Sequence, residues 1–299
     1  MFLSREAHFP CYNKGMQTVS RLIETFIPEH YDLSLVLNRQ PRTFSGTVTI
    51  QGSSVVGAEH ILVHAKELTI SDVLLDGKKA TYTEGINDEI AITHPDIKSG
   101  QHTVVISFSG KITDLMHGLY PCYFEHDGEK KELLATQFES HYAREVFPCI
   151  DEPEAKATFD LTLTTDPDLT VIGNMPIKDQ RTEDGSLVTQ FETSPRMSSY
   201  LLAFVVGELH KKTATTKGGV EVNVWTTPAQ PAESLDFALD IATRSIDFFD
   251  DFFGTPYPLV KSDHVALPDF SSGAMENWGL ITYREVALLA DPATTTVAS

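Results

Sequence analysis

Tyr31-Asp32-Leu33-Ser34-Leu35-Val36-Leu37 alternates apolar and polar side chains almost without a break, and that period of two decides the fold. It is the pattern of a half-buried strand. The same texture recurs in Thr47-Val48-Thr49-Ile50, in Thr103-Val104-Val105-Ile106-Ser107-Phe108 and in Thr158-Phe159-Asp160-Leu161-Thr162-Leu163, and it dominates as far as about residue 207. Between these runs stand Asp76-Gly77, Asp127-Gly128 and Asp184-Gly185, pairs that suit the left-handed backbone of a tight hairpin. Many short strands with almost no helical period predict a mostly β protein whose N-terminal part is an antiparallel β-sandwich or saddle-like sheet.

The texture changes after Ser199-Tyr200-Leu201-Leu202-Ala203-Phe204-Val205-Val206-Gly207, a run apolar enough for a buried strand. A further strand is expected around Val220-Glu221-Val222-Asn223-Val224-Trp225. Then Leu235, Leu239, Ala242, Ile246, Phe249 and Phe253 recur at helical spacing, which predicts a helix whose stripe packs on a sheet. Gly254, Pro256 and Pro258 end it. Asp247, Asp250 and Asp251 have neither a loop glycine nor EF-hand spacing and read as a solvated helix face. The expected organisation is an uncertain extension over residues 1–20, a β domain over 21–207 and the start of an α+β domain over 208–299.

Composition narrows the function. The 299 residues, 41% of them apolar, are ample for two cored domains. With 23 basic and 42 acidic residues the net charge is -19, a surface that repels nucleic acid and anionic membrane. No segment approaches the ~20 apolar residues that cross a bilayer. Residues Met1 to Gly15 mix Arg5, Glu6, His8 and Lys14 with Pro10 and contain no apolar core of a signal peptide. Because the strand pattern begins only after Pro28, Met16 is an alternative start. Cys11, Cys122 and Cys149 are odd in number and widely spaced, which suits a reducing compartment. Cys149 reads as a small buried hydrophobe, since no His/Asn arrangement marks it as a nucleophile. A cytoplasmic protein is expected.

The chemistry resides near the C-terminus, in Gly273-Ala274-Met275-Glu276-Asn277-Trp278-Gly279. Gly273 and Ala274 leave the backbone uncrowded, so an extended peptide can pair with it as an added strand, while Glu276 supplies a fixed carboxylate for a free α-ammonium. The flanking segments read as strand, loop, strand. Upstream, Thr136-Gln137-Phe138-Glu139 is followed by Ala143-Arg144 and by Phe147-Pro148-Cys149-Ile150-Asp151-Glu152-Pro153. This pair of stretches, in this order and at this separation, resembles the M1 family of zinc aminopeptidases, from roughly Ile27 to the last residue. The resemblance implies that Glu276 and Glu139 grip the substrate amine and that Gln137 lines the pocket for the first side chain, with Gly273, Ala274, Met275 and Asn277 completing the docking strand. Ser272 is expected beside Gln137, and these small neutral walls suggest a broad preference. Two carboxylates sharing one ammonium form charge-assisted bonds of about 1.5–3 kcal/mol each when sheltered. They also reject blocked amines, which would leave them buried and unpaired.

The resemblance further implies zinc, held by a helix with His-Glu-x-x-His and a later glutamate, the first glutamate serving as general base. No such motif occurs here. Of the eleven histidines, only His60 and His64 stand four apart, and Ile61-Leu62-Val63 between them reads as strand. In the family the zinc motif follows beyond a Tyr-Arg-Glu strand such as Thr282-Tyr283-Arg284-Glu285. The chain is therefore expected to be the N-terminal portion of a longer enzyme acting on peptides with a free N-terminus. It carries the amine clamp but no catalytic residue and no metal ligand, and is expected to be inactive by itself. Tyr142 stands where family members often carry aspartate, which leaves that loop's bonding open. An epoxide-hydrolysing branch of the family has, by resemblance, glutamine at the position of Glu139 and glycine at that of Ala274, which disfavours it here. The reading from another class is a non-catalytic relative serving as a peptide-binding or interaction module.

Overall fold

A computed structural model of the chain describes residues 21–290. The expected extension over 1–20, with Met16 and Cys11, and residues 291–299 lie outside it.

An eight-stranded sheet runs edge to edge through Ile177–Glu183, Ser186–Phe191, Thr158–Thr165, Phe26–Asn38, Thr43–Ser54, Gly100–Lys111, Thr69–Leu75 and Lys78–Lys79. A four-stranded sheet follows the order Thr170–Gly173, Phe204–Gly207, Glu129–Gln137, Gly118–His126, and a three-stranded one comprises Ile61–His64, Glu89–Thr93 and Thr81–Glu84. Up to Gly207 the strands pair antiparallel with one exception: Phe26–Asn38 lies parallel to Thr158–Thr165, from His30 opposite Thr158 to Val36 opposite Thr164. A parallel neighbour needs a long crossover, and most of the domain is threaded between these two strands.

The alternation read from the sequence is the alternation of burial. Tyr31, Leu33, Leu35 and Leu37 are buried while Asp32, Ser34 and Val36 are exposed. The three Asp-Gly pairs turn their hairpins with positive φ at both residues, 51° and 76°, 53° and 77°, and 49° and 80°, the backbone whose twist matches that of the flanking strands. In the core Tyr31 stacks on Phe159 with centroids 4.9 Å apart, and Phe147 meets Tyr31 edge-on at 6.2 Å. The Tyr31 hydroxyl accepts a bond from the Ile150 amide at 3.1 Å, so its polar end is satisfied inside.

Of the two spaced histidines, His64 ends the strand Ile61–His64, and His60 is exposed just before it. His64 is 6% exposed; its backbone bridges to Cys149 and its Nδ1 accepts from the Asp151 amide at 3.1 Å. Burial, with the neighbouring Arg144 adding to it, pulls its pKa down to about 3. A histidine held neutral in the fold but protonated when unfolded binds more protons in the unfolded state, so its contribution to stability declines as pH falls from about 6.5 toward 3. His64→Gln is expected to remove about 1 kcal/mol of the stability lost between pH 7 and pH 5.5. Urea titrations of both proteins at the two pH values check this, and equal losses count against it.

Sheet membership changes between Gly207 and His210. His210–Thr215, Glu221–Thr226, Lys261–Leu267, Leu280–Arg284 and Ala274–Met275 form a five-stranded sheet in that order. Its three inner strands are parallel, and the helix Asp236–Phe253 lies in the crossover between two of them. Gly254, at φ 62°, terminates the helix in the left-handed conformation. Of the predicted stripe Leu235 is buried and Leu239, Ala242 and Ile246 are half-buried, but Phe249 is 50% and Phe253 67% exposed. The rings at this end stack on each other, Phe249 on Phe253 and Phe248 on Phe252, each at 5.7 Å. Asp247 and Asp250 are not simply solvated. Their carboxylates accept the Lys217 and Tyr257 amides at 2.8 and 2.7 Å and tie down the flanking loops.

Val265, Leu267, Met275 and Leu280 of the five-stranded sheet, with Phe270 of the loop after Lys261–Leu267, belong to the same apolar cluster as the N-terminal strands. The two parts therefore share one core. Among the described residues no helix is long and apolar enough to cross a membrane.

Candidate functional site

Among the described residues Ala274–Met275 is the edge strand of the five-stranded sheet, paired only with Leu280–Arg284. Burial along it alternates: Met275 and Asn277 face the core, while Ala274 and Glu276 are exposed. The side chains of Met275 and Asn277 thus anchor the strand; the carbonyls of Gly273 and Asn277 accept the Arg284 and Leu280 amides at 3.0 and 3.2 Å, so the outward-facing backbone groups are those of the alternate residues. A Cβ placed on Gly273 would meet no atom within 4 Å, so the approach to this edge is open. That is the geometry required for an extended chain to add as a further strand.

The loop into this edge is held from both domains. Asp269 accepts at its carbonyl from the Tyr120 hydroxyl and the Cys122 thiol, both at 3.2 Å, and at Oδ2 from the Tyr123 amide at 2.7 Å. Burial pushes the Cys122 thiol up to about 12, so it serves as a neutral donor. Arg284 fixes the other flank. Its Nε and Nη2 donate to the carbonyls of Phe270 and Ser271 at 3.1 and 2.9 Å, and its amide donates to Gly273 O at 3.0 Å. None of these residues was marked as functional in the sequence, although Arg284 belongs to the Tyr-Arg-Glu strand noted there.

Tyr120, Cys122 and Tyr123 lie on Gly118–His126, the strand directly beside Glu129–Gln137, where Gly118 pairs with Gln137. The loop leading into Gly273 therefore stands one strand away from Gln137. Gln137 is 6% exposed, and its Oε1 is buried without a hydrogen-bond partner among the described residues. A buried carbonyl oxygen left unpaired costs about 1–3 kcal/mol, a cost removed when a donor arrives. Two residues on, past the buried Phe138, Glu139 is exposed. Neighbouring basic side chains are engaged by other carboxylates: Glu145 pairs with Lys66 and hydrogen-bonds the His117 ring, both at 2.9 Å, and Asp151 takes Arg144 at 3.2 Å.

Tyr142 has an aromatic role. Its ring stacks between His117 at 4.1 Å and His141 at 5.0 Å, so the loop after Glu139 is stiffened by a three-ring stack in place of an acid's hydrogen bonds. Two hollows of about 540 Å³ lie elsewhere, one between Thr170–Gly173 and Lys261, the other beside His117 and Glu145. Neither includes Gln137, Glu139 or a residue of Gly273–Asn277. Among the described residues, no three His, Cys, Asp or Glu side chains converge as a set of metal donors.

Residues 27–201 match the family model of the peptidase M1 N-terminal domain and residues 237–299 that of the peptidase family M1 domain, so the chain belongs to peptidase family M1. It is 53% identical over 278 residues to aminopeptidase N of Lactococcus lactis subsp. lactis, covering 92% of this chain and 32% of that protein. It is 51% identical over 281 residues to aminopeptidase N of Lactobacillus delbrueckii subsp. lactis, covering 93% and 32%. The puromycin-sensitive aminopeptidase of Caenorhabditis elegans is 41% identical over 298 residues, covering 95% and 31%. The chain spans about a third of the length of the curated relatives it matches.

Proposed function

We propose that this chain is the substrate-amine-binding portion of a zinc aminopeptidase that releases N-terminal residues from peptides. Glu276 and Glu139 grip the α-ammonium, Gln137 walls the first-residue pocket, and the backbone from Gly273 to Asn277 pairs with the substrate strand. The observation that carries the reading is the open edge at Gly273 and Ala274, with Glu276 exposed on it, tied through Asp269 to the strand next to Gln137. The unpaired Oε1 of Gln137 supports it as an acceptor for which an amine or an amide N–H is the natural partner. The names of the relatives agree.

Zinc enters this reading through the family alone. The described residues offer no donor set for it, so what they contribute is binding and orientation. They hold the free amine at one end of the peptide and align its backbone along the edge, which fixes the first peptide bond at a constant distance from the carboxylates. The division of the chain near Gly207, a cytoplasmic location, and surfaces that bind neither nucleic acid nor membrane belong to the same proposal. The net charge of -19 and the buried thiols of Cys122 and Cys149 support the latter two.

The direct test is release of the first residue from an unblocked peptide by the full-length protein, with no release from its Nα-acetyl counterpart. Equal turnover of both would overturn the reading. Gln137→Ala in the full-length protein is expected to change the ranking of first residues by several-fold in kcat/KM, because it widens the pocket wall. A series of aminoacyl anilides measures this; an unchanged ranking removes Gln137 from the pocket.

A further inference from the structure

Immediately after Glu276 and Asn277 the chain enters a reciprocal junction between the two domains. From the second sheet, Lys261, 8% exposed, donates all three of its ammonium protons: to Gly173 O at 2.9 Å, to Gly279 O at 2.8 Å and to Asp263 Oδ2 at 2.6 Å. From the N-terminal domain, Asn174, 4% exposed, donates through Nδ2 to Trp278 O and to Leu201 O, both at 2.8 Å, and accepts from the Ala203 amide at 2.8 Å. Each domain sends one side chain to the other's backbone, and the two receiving dipeptides are Gly173-Asn174 and Trp278-Gly279. No donor of the ammonium is left over.

The junction tolerates little displacement. Gly279 O also accepts the Asp263 amide at 3.1 Å, so both of its lone pairs are used. Gly279 has φ +71°, and a Cβ added there would stand 2.2 Å from Asn174 O. Asp263 is itself held, with Oδ1 accepting from Asn223 at 2.8 Å and from Trp225 at 3.1 Å. Between this junction and the Arg284 bonds on the other flank, the edge strand carrying Glu276 is fixed at both ends.

We propose that Lys261 and Asn174 are positioning residues: they set the place of Glu276 against Gln137 and Glu139 without touching substrate. The inference rests on the reading of Glu276 as an amine-binding carboxylate. A strand held by hydrogen bonds to its carbonyls slides when they are removed, and a misplacement of about 1 Å at a substrate-orienting group costs on the order of 100-fold in rate.

The test is a double-mutant cycle in the full-length protein, read as kcat/KM on an unblocked peptide. Lys261→Met is expected to lower kcat/KM about tenfold or more in the wild-type background and less than about twofold when Glu276→Ala is already present, because it acts through Glu276. Equal fold losses in the two backgrounds would overturn the proposal. Lys261→Met leaves Asp263 buried without its cation, so the charge-matched Lys261→Met/Asp263→Asn pair carries the same cycle if the single variant does not fold. Hydrogen exchange provides a readout independent of activity. The amides of Gly279 and Leu280 are expected to exchange faster in the charge-matched variant than in the wild type. Unchanged exchange overturns the junction's role whatever the turnover, whereas a wild-type protein with faster-exchanging variants but no aminopeptidase activity refutes the functional reading and leaves the junction standing.

Discussion

Replacing Glu276 with alanine in the full-length protein lowers kcat/KM for unblocked peptides by about 30- to 1,000-fold, equivalent to ~2–4 kcal/mol. The size follows from what the carboxylate does. Exposed one residue past the edge strand Ala274–Met275 and set between the buried Met275 and Asn277, Glu276 is held facing outward. In the proposed role its charge meets the ammonium only when the peptide has displaced water from the edge, which is when a charge-assisted bond is strongest. Loss of that bond weakens binding and lets the first peptide bond wander, so KM and kcat change together. Steady-state kinetics on one peptide series measure it. A kcat/KM within threefold of wild type would remove Glu276 from the site.

The second large effect is on stability. Asp151→Ala is expected to destabilise the fold by about 3–5 kcal/mol. Asp151 is 4% exposed; its Oδ2 accepts from Arg144 Nε at 3.2 Å and from the Arg144 amide at 3.3 Å, and its Oδ1 accepts from Ser199 at 2.7 Å. Truncation leaves the Arg144 guanidinium, in a residue 9% exposed, with the Asp151 carbonyl at 3.2 Å and Asp88 at 3.7 Å as its remaining partners. An uncompensated buried charge is the main cost, larger than the lost bonds themselves. Asp151→Asn, which keeps one carbonyl oxygen for the Arg144 donors and turns its NH2 to the Ser199 hydroxyl as an acceptor, costs less than half as much. Urea midpoints of the three proteins decide it, and equal stability of Asp151→Ala and wild type would show that the pair contributes nothing net. The pair closes the loop that begins at Glu139, so the alanine variant also loosens the candidate site.

What was legible in the sequence was local. The alternation in Tyr31–Leu37 is burial on one face of a sheet, and the Asp-Gly pairs are turns with both φ values positive. Both are period and turn chemistry, written within a few residues. The parallel pairing of Phe26–Asn38 with Thr158–Thr165 could not be read, because register between strands about 130 residues apart leaves no local mark. The helix stripe illustrates the limit differently. Its spacing gave the helix, but Phe249 and Phe253 stand exposed, their rings stacked on each other at 5.7 Å, which the spacing alone does not show. The candidate residues Gln137, Glu139 and Glu276 come from motifs. Lys261, Asn174, Asp269 and Arg284 act on backbone carbonyls or amides across the fold, and a lysine or asparagine that will do so looks like any other in a sequence. For Tyr142 the coordinates add a ring stacked on two histidines, a contact that no spacing in the sequence marks.

The central claim is that Glu139 and Glu276 together read a free α-ammonium, and it is tested most directly by comparing the affinity of a peptide with that of its Nα-acetyl counterpart. In the wild-type full-length protein the unblocked peptide is expected to bind about 100-fold more tightly, since two charge-assisted bonds are at stake. In Glu139→Gln/Glu276→Gln that ratio falls to within a few-fold of one. A preference for the free amine that survives both substitutions would contradict the account.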